Sequence, residues 1–190
     1  MKFEQPQLAQ QAICKNPTQF VKVNNTEYPL GHFVEVNINH PLFPRVKDLL
    51  NQIIAPIYGD VTKFLDKIGE AKDRTCQLLM KGGEIVGVLV YKLEPNNDSG
   101  ELGGAKAIEI KTLFIVDAEN NRGRGFGTEL LRKAEEYARS VGAENLLVTV
   151  SGEKPESYGF FVEKCFFKCV HEKKGMYKEG VTEFTLIKKL

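Results

Sequence analysis

A chain of 190 residues with 42% apolar and 27% charged side chains has the size and composition of one globular domain, and it is too apolar to remain unfolded. Its 26 basic and 25 acidic residues leave a formal net charge of +1, so no global field gathers nucleic acid or coats an acidic membrane. No window approaches the roughly 18–20 apolar residues of a membrane-spanning helix, and the first twenty residues hold no apolar core of signal-peptide length.

A cytoplasmic protein is expected, with Cys14, Cys76, Cys165 and Cys169 as free thiols. Cys165, Cys169 and His171 are close in sequence, but no second ligand pair at zinc spacing accompanies them, so no metal is expected.

In chain order, residues 1–31 are polar and rich in Gln and Asn without a clear period, and read as an N-terminal extension to a domain spanning 32–190. His32 to Ile38 alternates apolar with polar, as a strand does. Pro44 opens a helical pattern carried by Val46, Leu49, Leu50, Ile53 and Ile54, which Pro56 and Gly59 break. Asp60 is placed to cap a second helix bearing Val61, Phe64, Leu65 and Ile68. Two short strands follow, Cys76 to Met80 and Ile85 to Tyr91, joined at Gly82-Gly83, a pair suited to the positive φ of a tight hairpin.

After a loop from Glu94 to Gly100, the apolar run Ala107 to Val116 predicts a central strand. Leu130, Leu131, Ala134, Tyr137, Ala138 and Val141 then mark one face of a helix stopped by Gly142, with Glu129–Lys133 and Glu135–Arg139 as pairs on its wet side. A strand at Leu146 to Val150, a short helix at Glu156 to Lys164, and strands near Phe166 to Val170 and Thr182 to Lys188 complete a mixed α/β order.

The chemistry is concentrated where the central strand ends. Arg122-Gly123-Arg124-Gly125-Phe126-Gly127 lies between that strand and a helix beginning at Thr128. The first amides of a helix have no internal acceptor, and the helix dipole adds partial positive charge. Glycines let a phosphate approach those amides, and Arg122 and Arg124 add charged donors. The spacing fits neither a Walker loop nor the dinucleotide fingerprint G-x-G-x-x-G.

The turn does match Arg/Gln-x-x-Gly-x-Gly/Ala, and so resembles the coenzyme A pyrophosphate loop of the GNAT N-acetyltransferase superfamily. Ser157-Tyr158-Gly159-Phe160-Phe161-Val162-Glu163-Lys164-Cys165-Phe166 resembles that superfamily's second motif, A-x-x-F-Y-x-x-x-G-F. The resemblance spans roughly residues 33–188, strongest over 107–166. It implies an α/β (α+β) fold with a mixed, mostly antiparallel sheet of six or seven strands, splayed at the strand that binds acetyl-CoA.

The resemblance further implies direct attack of an amine on the thioester, with the cosubstrate bound by Phe114, Ile115, Val116 and residues 122–128 through Thr128. A backbone N–H within Phe114 to Val116 is expected to face the acetyl oxygen. The tyrosine that often protonates the leaving thiolate is replaced by Phe161, and the glycine by Cys165, which leaves Tyr158 or water as the acid. Glu109, on the strand leading to the turn, is the candidate base, on one strand face with Lys111, Leu113 and Ile115 by alternation.

The expected partner is an amine-bearing acceptor, a protein lysine ahead of a polyamine or aminoglycoside. Asp48, Asp60 and Asp66 are scattered rather than clustered. No nucleic acid or membrane partner is expected, and the protein is a monomer or homodimer. A non-catalytic acyl-CoA-binding module is the alternative reading.

Overall fold

A computed structural model describes residues 20–23, 26–29, 31–70, 73–95 and 105–190. The stretch 1–19, Cys14 within it, and most of the loop expected at Glu94–Gly100 lie outside the described residues. Within the sequence expected as an N-terminal extension, β1 (Phe20–Val23) and β2 (Thr26–Pro29) pair antiparallel as a separate two-stranded ladder.

The main sheet begins with β3 (His32–Val36), followed by α1 (Phe43–Ile53), α2 (Ala55–Tyr58) and α3 (Thr62–Glu70). Pro56 does not end the helical path: it occupies the first turn of α2, where its missing N–H is no loss. Asp60 caps α3 as expected, its Oδ1 accepting the Thr62 amide at 2.8 Å and the Thr62 hydroxyl at 2.6 Å. β4 (Arg74–Lys81) and β5 (Glu84–Lys92) form the hairpin, with Gly82 and Gly83 both at positive φ.

Next come β6 (Ala107–Ile115), a short α4 (Ala118–Asn121) that no sequence pattern marked, and α5 (Phe126–Ser140). β7 (Asn145–Ser151), α6 (Pro155–Gly159), a π-helical turn (Phe160–Lys164), β8 (Lys168–Lys174) and β9 (Thr182–Lys189) close the chain.

The seven strands of the main sheet run β3-β4-β5-β6-β7-β9-β8, all antiparallel neighbours except the parallel β6–β7 pair. Two hydrophobic clusters cover its faces. On one, α5 brings Phe126, Leu130, Leu131, Ala134 and Ala138 onto Leu89, Ile108, Ile110, Leu146 and Val148. On the other, Val46, Leu49 and Leu50 of α1 and Leu65 and Ile68 of α3 meet Leu78, Val88 and Val90. The apolar periodicity of each helix therefore faces the sheet, as an amphipathic stripe must.

One expected surface pair fails. Glu129 is 1% exposed instead of wet, because the Gly31 amide donates to its Oε1 at 3.0 Å and the chain there covers the start of α5. Glu135–Arg139 does form, at 3.6 Å.

Phe166 holds φ 62 while 76% exposed, a left-handed conformation that a Cβ disfavours. Replacing it with glycine relieves that strain without removing buried area. Phe166→Gly is expected to raise the unfolding free energy by about 1 kcal/mol, read from the urea midpoint at unchanged slope.

Candidate active site

β6 and β7 pair over only four residues, Ala107–Ile110 against Asn145–Val148. Beyond them β6 keeps its ladder with β5 and β7 keeps its ladder with β9, so the two strands part as a fork. The parting coincides with a bulge: Tyr91 faces Ile110 and Val90 faces Thr112, leaving Lys111 as the extra residue. Such an insertion bends a strand and increases its twist.

Past the bulge, the Val116 amide donates to the Val86 carbonyl at 3.0 Å. Alternation along an antiparallel ladder then turns the Phe114 and Thr112 amides towards β5, and those of Leu113 and Ile115 into the fork. Of the three positions expected to contribute an amide, only Ile115 has one free for a ligand there.

At the tip of this arm, Asn121 Nδ2 donates to the Val116 carbonyl at 2.8 Å and ties α4 to the strand. The chain then crosses Gly123 and Gly125 at φ 74 and 82, and Gly125 is the N-cap of α5. The first bond closing α5 runs from the Glu129 amide to the Gly125 carbonyl, so the Phe126, Gly127 and Thr128 amides find no acceptor among the described residues. The turn is solvent-accessible, with Arg122, Gly123, Arg124 and Thr128 exposed. Bare amides at the positive end of a 15-residue helix fit a pyrophosphate.

Arg122 reaches Glu156 at 3.9 Å and Arg124 donates to Asn121 Oδ1 at 3.2 Å, so both guanidiniums stay beside the turn. Gly127 has a packing reason as well: a Cβ there would stand 3.1 Å from the Phe160 ring.

On the opposite face of the fork is a cavity of about 220 Å³. Its walls come from Tyr58, Asp60 and Phe64 around α2 and α3, from Glu109 to Thr112 of β6, from Thr149 of β7, and from Tyr177 before β9. Glu109 is thus at the pocket, but its neighbours differ from those that alternation predicted. The bulge breaks the alternation, leaving Glu109 and Lys111 on the cavity while Leu113 and Ile115 pack in the α5 cluster on the other face.

Lys111 Nζ donates to Glu109 Oε1 at 2.6 Å, and Lys92 Nζ is 3.0 Å from Oε2. Burial pushes the Glu109 carboxyl up, yet the two ammonium groups outweigh it and hold the group below the usual carboxylate range. Sequence reasoning missed Tyr58, Lys92, Thr149 and Tyr177, since no local pattern marks residues that meet only through the sheet.

Residues 45–167, well over half of the chain, match the acetyltransferase (GNAT) family. The chain belongs to that family. No curated protein has a significantly matching sequence. Among solved structures, Arabidopsis thaliana NAA60 bound to acetyl-CoA shares the fold with a TM-score of 0.68 at 16% identity, over 84% of this chain and 99% of that one. The aminoglycoside 6'-N-acetyltransferase of Enterococcus faecium gives 0.61 at 18% identity, over 83% and 96%. Arabidopsis thaliana Naa50 with a bisubstrate analogue gives 0.62 at 16% identity, over 83% and 99%. As a GNAT protein it is an acyltransferase whose acyl donor is acetyl-CoA.

The end of the second GNAT motif fits better one residue later than the sequence reading set it. Cys165, aligned there with the motif glycine, has φ −108, whereas Phe166 takes the left-handed conformation that suits a glycine. Phe166 points to solvent and Phe167 fills the core, where the motif's final phenylalanine belongs. A π-type bond from the Cys165 amide to the Phe160 carbonyl supplies the extra residue.

The shift applies only past the turn, so the tyrosine position stays on Phe161, which is buried against Phe160 and Phe167, with the half-buried Val162 after it. Neither side chain can donate a proton. Tyr158 packs edge-on to Phe184 at 5.0 Å on the α5 side of the sheet, its hydroxyl without a hydrogen-bond partner among the described residues. Cys165 is buried, its thiol pushed up to about 11 by desolvation, while Cys169 is exposed. Among the described residues these cysteines and His171 do not gather into a metal-binding group.

Two measurements probe this GNAT site. Gly125→Glu places an anion over the bare amides and is expected to weaken acetyl-CoA binding by about 100-fold or more, ~2.7 kcal/mol, by calorimetry. Gly125→Ala, which carries the same φ strain without the charge, should retain most of the affinity.

Glu109, whose folded-state value is lowered, stabilises the fold when ionised. That contribution is full above the ordinary value of 4.5 and is lost as pH falls through the lowered one. The stability gap between the protein and Glu109→Gln should therefore be constant above pH 4.5 and shrink below it, as read from urea unfolding at a series of pH values.

Proposed function

We propose that the protein transfers the acetyl group of acetyl-CoA to a primary alkylamine that enters from the cavity beside Glu109. The observation that carries this reading is the fork itself. It joins the bare amides at the start of α5 on one side to a cavity of about 220 Å³ on the other. From Thr112 to Val116 the β6 arm runs about 13 Å at strand rise, a length suited to an extended pantetheine arm lying along it. Acetyl-CoA supplies an activated acyl group, and the chain's own residues must orient, polarise and exclude water.

The Ile115 and Leu113 amides facing the fork are the donors proposed for the acetyl oxygen, which gains negative charge as the amine attacks. Arg122, Gly123, Arg124 and the amides of Gly125, Phe126, Gly127 and Thr128 are proposed to hold the pyrophosphate. Phe114 and Val116 contribute by fixing the arm against β5 and the α1–α3 cluster.

The geometry around Glu109 favours a role other than outright deprotonation of an ammonium. An ordinary glutamate and a lysine-type amine differ by about six pKa units, ~8 kcal/mol, and the downward displacement of Glu109 widens that gap. Glu109 instead keeps two lysine ammonium groups beside the reacting end of the pocket, where they disfavour a charged amine and favour the neutral nucleophile. Tyr158 is the phenol proposed to return a proton to the thiolate, a tolerable leaving group near neutral pH.

The acceptor favoured from the sequence, a protein lysine ahead of a polyamine or aminoglycoside, presents an amine that a cavity of this volume accommodates. Release of free thiol from acetyl-CoA on addition of simple alkylamines tests the reading; tight acetyl-CoA binding with no amine-dependent release would refute it. Glu109→Gln should lower kcat/KM by about tenfold without moving the apparent pKa of the rate profile, because that pKa belongs to the acceptor amine. Tyr158→Phe should lower kcat with acetyl-CoA affinity unchanged, and an unaltered kcat would remove it from the reaction.

A further inference from the structure

The β6–β7 ladder ends at Ile110 opposite Val148. The first cavity-lining side chains past that pair are Lys111 and Thr112 on the β6 lip and Thr149 on the β7 lip. Packing fixes their facing. Leu113 and Val150, next along each strand, turn to the α5 cluster, so Thr112 and Thr149 stand on the opposite face. The two threonines therefore flank the gap where the cavity meets the fork.

Both are half-buried, and neither hydroxyl has a hydrogen-bond partner among the described residues. The fold does not require a hydroxyl at either place, since valine has nearly the same shape and suits a strand as well. The nearby charges are already engaged with one another: Lys111 donates to Glu109 Oε1, and Lys92 is 3.0 Å from Oε2. The other lining side-chain oxygens, those of Tyr58, Asp60 and Tyr177, come from α2, the turn into α3 and the turn before β9. On the fork strands, the uncommitted side-chain acceptors are the two threonine oxygens.

A neutral primary amine that attacks a thioester directs its lone pair at the carbonyl carbon. Its two N–H groups must still find acceptors, because a donor left unpaired away from water is costly. One hydroxyl oxygen on each strand matches that count.

We propose that Thr112 and Thr149 hold the acceptor nitrogen at the fork, each hydroxyl accepting one N–H, so that the pair favours a primary over a secondary amine. This rests on the acetyl-transfer reading above and adds its specificity-determining residues. The C–N bond forms as the C–S bond breaks; the electron pair of the latter leaves on the coenzyme A sulfur, where the surplus amine proton also ends. Neither threonine gains or loses a proton overall. Being neutral, the hydroxyls accept from the uncharged amine without holding it as an ammonium, as a free carboxylate would.

The test measures thiol release from saturating acetyl-CoA with butylamine and with N-methylbutylamine, which has one N–H fewer. Thr149→Val and Thr112→Val should each lower kcat/KM for butylamine by about tenfold, with acetyl-CoA affinity by calorimetry unchanged. Thr149→Ser and Thr112→Ser should recover most of that loss. The preference for butylamine should shrink severalfold in each valine variant. A purely structural role predicts the reverse order, because valine suits a strand better than serine.

Valine variants as active as the unaltered protein, serine variants no better than the valine ones, or an unchanged preference between the amines would each overturn the pair. Failure of the acetyl-transfer reading looks different: the unaltered protein would release no thiol with either amine, and the pair would fall with it.

Discussion

The parallel ladder between β6 and β7 ends after four residue pairs, and most of what the molecule can do depends on where it ends. Each strand is held on its far side, β6 by β5 and β7 by β9. The parting therefore leaves one strand edge unsatisfied inside the domain instead of unravelling the sheet. An unpaired edge is ordinarily a liability; here it is a row of amide donors and carbonyl acceptors for an extended ligand. Lys111 sets the place, because its extra residue bends β6 away just past the last shared pair.

The same bulge divides the reaction between the two faces of the sheet. Leu113 and Ile115 turn into the α5 cluster and build the wall along which the acyl donor would lie. Glu109, Lys111 and Thr112 turn to the α1–α3 side and line the cavity. In the proposed reading, donor and acceptor reach the fork from opposite faces of the sheet, an arrangement suited to direct transfer between two bound molecules. The charges at the fork follow from the same bulge, with Lys92 and Lys111 both drawn to Glu109.

The second motif shows how a family pattern persists through substitution. A phenylalanine at the glycine position is kept in the left-handed conformation because Phe161 and Phe167 on either side are locked in the core. The Phe167 amide donates to the Phe161 carbonyl at 3.0 Å across the π-helical turn. The backbone conformation survives the loss of the residue that made it easy, and the strain falls on an exposed ring.

Short-range features were legible from the sequence. The Gly82-Gly83 hairpin, the cap at Asp60, the apolar face of α5 and the glycine turn are each written in a few consecutive residues, since backbone preference and helix-end hydrogen bonding are local. Family membership followed from the same stretch.

Tertiary structure decided the rest. One residue inserted at position 111 reversed which side chains share a face with Glu109, and no alternation count sees an insertion whose partner strand is twenty residues away. Glu129 passed from wet surface to buried acceptor because distant chain folds over it. Asp60, Glu109, Thr149 and Tyr177 become neighbours of one cavity only through ladder register and helix packing, which are properties of the assembled sheet.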